Sequence, residues 1–266
     1  MKTYIIDSFT DKPFKGNPAG VALVENDITE EKMQHIAHEL GLSETAFVKH
    51  KKDNVYSIRF FSPLEEIPLC GHATLASAKV IFDEQDLDEI HFLTKSGVDL
   101  VTKKEDDFIA MEFPTYGTTP ANAPQELLEA LGIDEIVNAE YNKENNILLV
   151  EIADPQLLVD LTPDFVALKK STNSISGVLV TSHSNNPEYD FQSRYFWPWV
   201  GTNEDPVTGA THTFLAPYWG KRKNLTKMKS FQASKRTGFM ELQLLENGNL
   251  IIKGKAVSIL EGSLTI

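Results

Sequence analysis

Two stretches of the chain carry the same order of polar and turn residues. Glu66-Ile67-Pro68-Leu69-Cys70-Gly71-His72-Ala73-Thr74 reads against Glu204-Asp205-Pro206-Val207-Thr208-Gly209-Ala210-Thr211-His212, with Glu, Pro and Gly each repeating after 138 residues. Just upstream, Arg59-Phe60-Phe61 echoes Arg194-Tyr195-Phe196 after 135, so the second copy holds three extra residues before its glycine. A glycine opening a buried helix lets the backbone turn tightly and leaves the first N–H groups without intrahelical acceptors. Those donors, with the roughly half positive charge of a helix N-terminus, make an anion pocket. If two such copies pair about a pseudo-twofold axis, donors near Gly71-His72 and Gly209-Ala210 can hold a substrate carboxylate in a shared cleft. A single glycine of this kind is more often only a turn residue; the repetition argues for the site.

The side chains beside these turns supply acid–base chemistry. His72 falls in a first helical turn, where the dipole disfavours imidazolium, so a neutral imidazole is expected there. Asp205 stands where the first copy has Ile67 and places a carboxylate in one turn only. Glu44, in Gly41-Leu42-Ser43-Glu44-Thr45-Ala46-Phe47-Val48, sits where a helix gives way to a strand. Half-burial there would raise its pKa toward neutrality and suit it to proton transfer. The plainer readings are a capping histidine, an Asp-Pro turn and a solvated acid. Cys70 precedes a helix N-terminus that would lower its pKa, but its counterpart is Thr208, which weakens any paired-thiol scheme. His35 and His38 match neither His-Glu-x-x-His nor its inverse and read as a polar helix face. The chain has no Gly-x-Gly-x-x-Gly and no Walker A sequence, so no nucleotide site is signalled; its lone cysteine excludes an internal disulfide and a Cys-pair zinc site, and no metal site is expected.

Positioning these residues falls mainly to strands. Val55–Phe61 alternates and is rich in β-branched and aromatic residues, and a helix apolar around most of its circumference follows Gly71. The second copy has Pro217 inside the equivalent helix, which should end or kink it. Strands are expected at 4–9, 19–24, 46–49, 91–94, 98–102 and 108–113, then at 146–152, 177–181, 189–196, 238–245, 250–253 and 258–266. Asp27–Leu40 reads as an amphipathic helix with Asp27 and Glu30 at capping-box spacing and Gly41 as its C′ residue; a shorter helix covers 125–131. The fold class expected is α+β, two lobes of mostly antiparallel sheet, each wrapped round a central helix. The first lobe covers about 1–114 and the second about 115–256, joined by the Pro-rich segment Pro114–Pro124.

Composition bounds the function. With 25 Lys+Arg against 38 Asp+Glu the net charge is −13, which opposes binding of phosphate backbones through a basic face. No apolar run reaches the roughly 20 residues of a membrane helix, and the early acid Asp7 does not suit a secretory segment. A cytoplasmic protein without nucleic-acid or membrane partners is expected.

Taken together the residues resemble the PhzF family, on the diaminopimelate epimerase-like fold. The matching motifs are Asp7-Ser8-Phe9-Thr10, Gly16-Asn17-Pro18-Ala19-Gly20-Val21, Leu42-Ser43-Glu44-Thr45-Ala46-Phe47, Phe61-Ser62-Pro63 and the two glycine turns. The resemblance implies a cofactor-free isomerase with its site between two lobes, a final strand at about 257–266 returning to the first lobe, and a homodimer. It implies Glu44 as the proton carrier, His72 and Asp205 assisting at polar groups, and Asn17, Gly71, His72, Thr208, Gly209 and Ala210 binding a small carboxylate substrate. The phenazine member has Ser where this chain has Ala210, so the hydroxyl is either absent or displaced to Thr211. Diaminopimelate epimerases carry a cysteine at each turn; with Cys70 facing Thr208, a one-carboxylate proton shift suits the residues better than two-base epimerisation. A Cys70-dependent epimerase and a non-catalytic carboxylate binder stay open as alternatives.

Overall fold

The computed structural model describes residues 1–265. The chain divides into two compact units, Met1–Glu112 with the chain from Ile251 onward, and Phe113–Leu250. Among the described residues no helix is long and apolar enough to cross a membrane.

In the first unit β1 (Lys2–Ser8) and β2 (Asn17–Leu23) are antiparallel, α1 (Glu30–Leu40) follows, and β3 (Glu44–Lys52) lies parallel to β2. β4 (Val55–Phe61) returns antiparallel, and the two-residue β5 (Glu66–Ile67) pairs with its end before α2 (Gly71–Glu84). β6 (Glu89–Thr94) runs parallel to β4, then β7 (Asp99–Glu105) and β8 (Phe108–Pro114) continue antiparallel.

The second unit repeats this order. β9 (Thr119–Pro120) and α3 (Gln125–Leu131) lead into antiparallel β10 (Asn138–Asn142) and β11 (Ile147–Glu151). Two short helices, α4 (Pro155–Asp160) and α5 (Phe165–Ser171), precede β12 (Gly177–His183), parallel to β11 as β3 is to β2. β13 (Phe191–Trp197) and β14 (Thr202–Asp205) are antiparallel neighbours, α6 (His212–Lys223) follows, and β15 (Lys227–Gln232) lies parallel to β13. After β16 (Gly238–Leu244) and β17 (Asn249–Gly254), β18 (Ala256–Ser263) pairs antiparallel with β1 in the first unit. Ile266, the last residue of the expected final strand, lies outside the described residues. Each unit is therefore α+β with a mixed, mainly antiparallel sheet.

Register displays the duplication. Phe61 lies opposite Glu66 and Phe196 opposite Glu204, so the three extra residues sit in the β13–β14 connection, beside a bulge at Phe196/Trp197. Both copies also build the same contact. The Arg59 guanidinium grips Glu66 at 2.7 and 2.8 Å and lies 5.2 Å over the Phe61 ring. Arg194 grips Glu204 at 2.7 and 2.9 Å and lies 4.9 Å over Phe196.

α2 packs against β1, β2, β3, β7 and β18 and is buried almost all round. Its small residues Ala73, Ala76 and Ala78 allow close approach, and the Thr74 and Ser77 hydroxyls donate back to the Cys70 and Ala73 carbonyls at 2.7 Å, so no polar side chain of this face is stranded. Of the two outcomes expected of Pro217, an end or a kink, the first does not occur: the helix continues to Lys223. Proline removes the N–H that the Thr213 carbonyl would accept, and the Tyr116 N–H donates to that carbonyl instead at 2.9 Å. The N-cap of α1 is Thr29, which accepts from the Lys32 N–H at 3.2 Å, while Asp27 pairs with Lys49. Gly41 takes the left-handed C-cap at φ 62°, as its position suggested.

Candidate active site

Topology gathers four of the expected residues at one end of the first unit. The parallel pairing of β2 with β3 puts their first residues, Asn17 and Glu44, at the same end, and antiparallel β1 delivers Ser8 there. The loop from β1 is tight. Gly16 has φ 68°, and a Cβ on it would stand 2.1 Å from the Ser8 carbonyl oxygen, so only glycine delivers Asn17. The buried Asp7 carboxylate accepts the Phe14 N–H at 2.7 Å and closes the same loop. Ser8 donates to the His72 carbonyl at 2.8 Å, fixing the start of α2.

His72 is the hub. Its Nε2 is 3.0 Å from Glu44 Oε2, with the two side chains only 10% and 13% exposed. Its Nδ1 lies 3.4 Å from Cys70 Sγ and 3.5 Å from Asn17 Nδ2, and Ser43 Oγ is 3.4 Å from Nε2. Gly71 opens α2 without a positive φ, and a Cβ there would meet nothing within 4 Å. The turn therefore does not need glycine for its geometry; the missing side chain leaves open space beside His72.

This geometry corrects three expectations about charge. Burial alone would push the Glu44 carboxyl up, but the neighbouring His72 charge and hydrogen bonds from His72 and Ser43 bring it below the ordinary value. Burial likewise opposes a charged His72, yet the Cys70 sulfur and the Glu44 carboxylate hold its pKa well above the usual imidazole value. A full carboxylate in contact outweighs half a helix charge, so the pair rests as carboxylate and imidazolium rather than as neutral acid and neutral imidazole. Cys70 is buried, and burial pushes its thiol up rather than down.

In the second unit Asp205, the last residue of β14, is buried and accepts a hydrogen bond from the Thr208 hydroxyl. Gln232 at the end of β15 ties the turn together. Its Oε1 accepts the Thr208 N–H at 2.9 Å and its Nε2 donates to the Asp205 carbonyl at 2.8 Å. Burial, then the nearby Asp205 carboxylate, raises the Tyr195 phenol. Gly209 and Ala210 do not begin the helix as Gly71 does. A further turn intervenes, closed by His212 N–H to Gly209 O at 3.0 Å and Thr213 N–H to Ala210 O at 3.2 Å, and α6 starts at His212. The Thr211 hydroxyl is buried and donates to the Thr208 carbonyl at 3.0 Å, so it does not stand in for the hydroxyl missing at Ala210.

His212 has a measurable consequence. Its Nδ1–H donates to the Thr208 carbonyl at 2.9 Å, its Nε2 has no partner among the described residues, and burial lowers its pKa to about 4. A native pKa depressed from 6.5 leaves stability intact above pH 6.5 and drains it as pH falls toward 4, because only the unfolded chain then takes the proton. The loss should reach about 3 kcal/mol, at about 1.4 kcal/mol per pH unit. Urea unfolding of wild type and His212→Asn at pH 7 and pH 4.5 checks this: the variant should lose distinctly less stability on acidification.

Sequence reasoning missed Gln232 and gave Ser43 no role. It placed Asn17, Glu44, Gly71 and His72, which the first unit brings together, and Asp205, Thr208, Gly209 and Ala210, which form one turn of the second. His35 and His38 take no part in either cluster. Glu44, Cys70 and His72 also offer one ligand atom each, all within 4.8 Å of one another.

Comparison with known proteins agrees with this architecture. An isomerase of Halalkalibacterium halodurans, its reaction uncharacterised, is 40% identical over 268 residues, covering 99% of this chain and 98% of its own. The crystal structure of a PhzF-family phenazine biosynthesis protein from Enterococcus faecalis superposes with a TM-score of 0.92 at 38% identity, over 100% of this chain and 99% of that one. A probable proline racemase from Agrobacterium radiobacter, at 10% identity and a TM-score of 0.63 over 100% of this chain and 93% of its own, shares the fold alone. The model of the phenazine biosynthesis-like protein family matches residues 6–262, and the chain belongs to that family.

Proposed function

We propose that this chain shifts a proton within a small carboxylated, amino-acid-derived substrate, with Glu44 taking it from one carbon and returning it to another on the same face. The family and its curated isomerases make the chain an isomerase. The observation that carries the finer reading is the half-enclosed Glu44 carboxylate, 3.0 Å from His72 Nε2. An ionised carboxylate in that setting is a ready base, and the imidazolium beside it is a ready donor to a substrate oxygen or to the developing negative charge. Asn17, the open space at Gly71, and the Thr208-Gly209-Ala210 turn are assigned to substrate binding; Asp205, oriented by Thr208, is assigned to the substrate's polar groups. Moving a proton between carbons leaves the overall oxidation level of the molecule unchanged, so the proposal calls for no redox cofactor. The same reading takes a cytoplasmic homodimer as the working form, whose mass light scattering reads.

Screening small carboxylates by thermal shift, then following deuterium uptake into carbon from D₂O, tests the proposal. Saturable binding without exchange in every bound compound would favour a binding protein instead. Exchange confined to one α-carbon and abolished by Cys70→Ala would favour the two-base epimerase.

The charge state of the pair also sets a pH profile. Activity should fall only when Glu44 gains a proton, below the ordinary carboxylate value of 4.5, or when His72 loses one, well above 6.5. The plot of kcat/KM against pH should therefore run level through the range where an isolated histidine titrates. A limb centred near 6.5 would show His72 behaving alone and would dissolve the ion pair.

A further inference from the structure

We propose that Glu44, Cys70 and His72 form a binding site for a thiophilic divalent metal ion, zinc being the fitting biological example, and that the ion inhibits turnover. The binding half stands on geometry alone; the inhibitory half rests on the proton-carrying role given to Glu44.

The three side chains come from two elements that the fold holds together: the first residue of β3, and the N-cap and second residue of α2. Glu44 Oε2 is 3.0 Å from His72 Nε2, Cys70 Sγ is 3.9 Å from the same nitrogen, and all three ligand atoms lie within 4.8 Å. Tetrahedral zinc, with bonds of about 2.0 Å to nitrogen and oxygen and about 2.3 Å to sulfur, sets its donors roughly 3.3–3.6 Å apart. Cys70 Sγ now lies nearer Nδ1, at 3.4 Å, than Nε2, so the cysteine side chain must rotate by roughly an ångström or more to join Glu44 on a metal held at Nε2. One sulfur, one nitrogen and one carboxylate oxygen form a borderline-soft set that suits zinc or cobalt and disfavours magnesium or calcium.

The surroundings complete the site. With Nε2 on the metal, the ring proton moves to Nδ1, 3.5 Å from the Asn17 amide nitrogen; that amide must turn its oxygen to the ring to accept the proton and orient the ligand. Three protein ligands leave the fourth tetrahedral position to water or a substrate oxygen. Binding balances simply. The Cys70 thiol gives up its proton, the His72 imidazolium gives up one, and Glu44, already ionised, gives up none, so two protons leave for each ion bound. A carboxylate whose lone pair is on a metal cannot take a proton from carbon, which makes the occupied site inactive.

Cobalt(II) titrated into the reduced, chelator-treated full chain tests this directly. Cys70 is the sole cysteine, so any thiolate-to-cobalt charge-transfer band belongs to it. The band should saturate at one ion per chain, vanish in Cys70→Ser, require roughly tenfold or more cobalt in His72→Asn and in Glu44→Gln, and be displaced by zinc. Circular dichroism of each variant confirms that it is folded. Absence of the band in wild type, or its persistence with unchanged affinity in His72→Asn and Glu44→Gln, overturns the site. Zinc should inhibit wild-type turnover in parallel with its displacement of cobalt, and a chelator should restore it. Full turnover with the site saturated would leave the metal site standing, overturn the inhibition, and count against Glu44 as the proton carrier.

Discussion

Glu44→Gln should lower turnover by roughly 10²–10⁴ while leaving the affinity for a carboxylate ligand nearly unchanged. The substitution keeps the volume and the β3 position of the side chain, which is 13% exposed and therefore cannot be replaced by solvent without repacking. What it removes is the basic oxygen, together with the negative charge that holds His72 protonated. Two signatures separate this from general damage. The imidazole of His72 should titrate lower in the variant than in wild type, visible by NMR, because its charged partner is gone. Glu44→Asp, which keeps the charge but draws it back by one methylene, should recover part of the rate. Single-turnover kinetics and equilibrium binding together decide the matter. Undiminished exchange in Glu44→Gln would end the role assigned to this residue.

The duplication behind this site was legible because it is written in residues whose backbone or charge roles tolerate few substitutes. Glu66 and Glu204 each answer an arginine across a strand pair, and the Pro and Gly that follow set the exit from a short strand. The buried α2 was legible from its apolar circumference. What stayed hidden depended on distance along the chain. Nothing in the sequence says that Glu44 meets His72, 28 residues on, so reasoning from each residue's own neighbourhood assigned both the wrong charge. Gln232 carries no signal of its own; it matters only because parallel β13 and β15 bring it to the Asp205 turn. The short helices α4 and α5 did leave signs, Asp154 before Pro155 and Asp164 before Phe165, each aspartate capping backbone N–H groups, but their few residues show too little periodicity to weigh against loop. The Thr213 carbonyl that excuses Pro217 finds its donor in Tyr116, almost a hundred residues upstream, and no local rule anticipates that.

The duplicated arginines should differ sharply in worth despite their matched geometry. Arg194→Met should cost about 3–5 kcal/mol, the scale of breaking a buried pair from one side, whereas Arg59→Met should cost about 1 kcal/mol or less, the scale of a partly exposed pair. The difference lies in what each leaves behind. Arg194 is 9% exposed and Glu204 16%, and beyond the carboxylate its Nη1 donates to the carbonyls of Leu158, Val159 and Leu161 at 3.3, 3.2 and 2.7 Å, closing the end of α4. Methionine fills the space but strands a carboxylate and three acceptors at once. Glu66 would keep a cation, because Lys95 sits 2.8 Å from it, and Arg59 with its 23% exposure gives up contacts that water can replace. Urea unfolding followed by fluorescence, with hydrogen exchange to assign each transition, reads both costs; the Arg194 loss should fall on the unit Phe113–Leu250 and the Arg59 loss on the other. Equal losses would mean that the stacking on Phe61 and Phe196, which the copies share, sets the value of the contact, and that the α4 carbonyls contribute nothing.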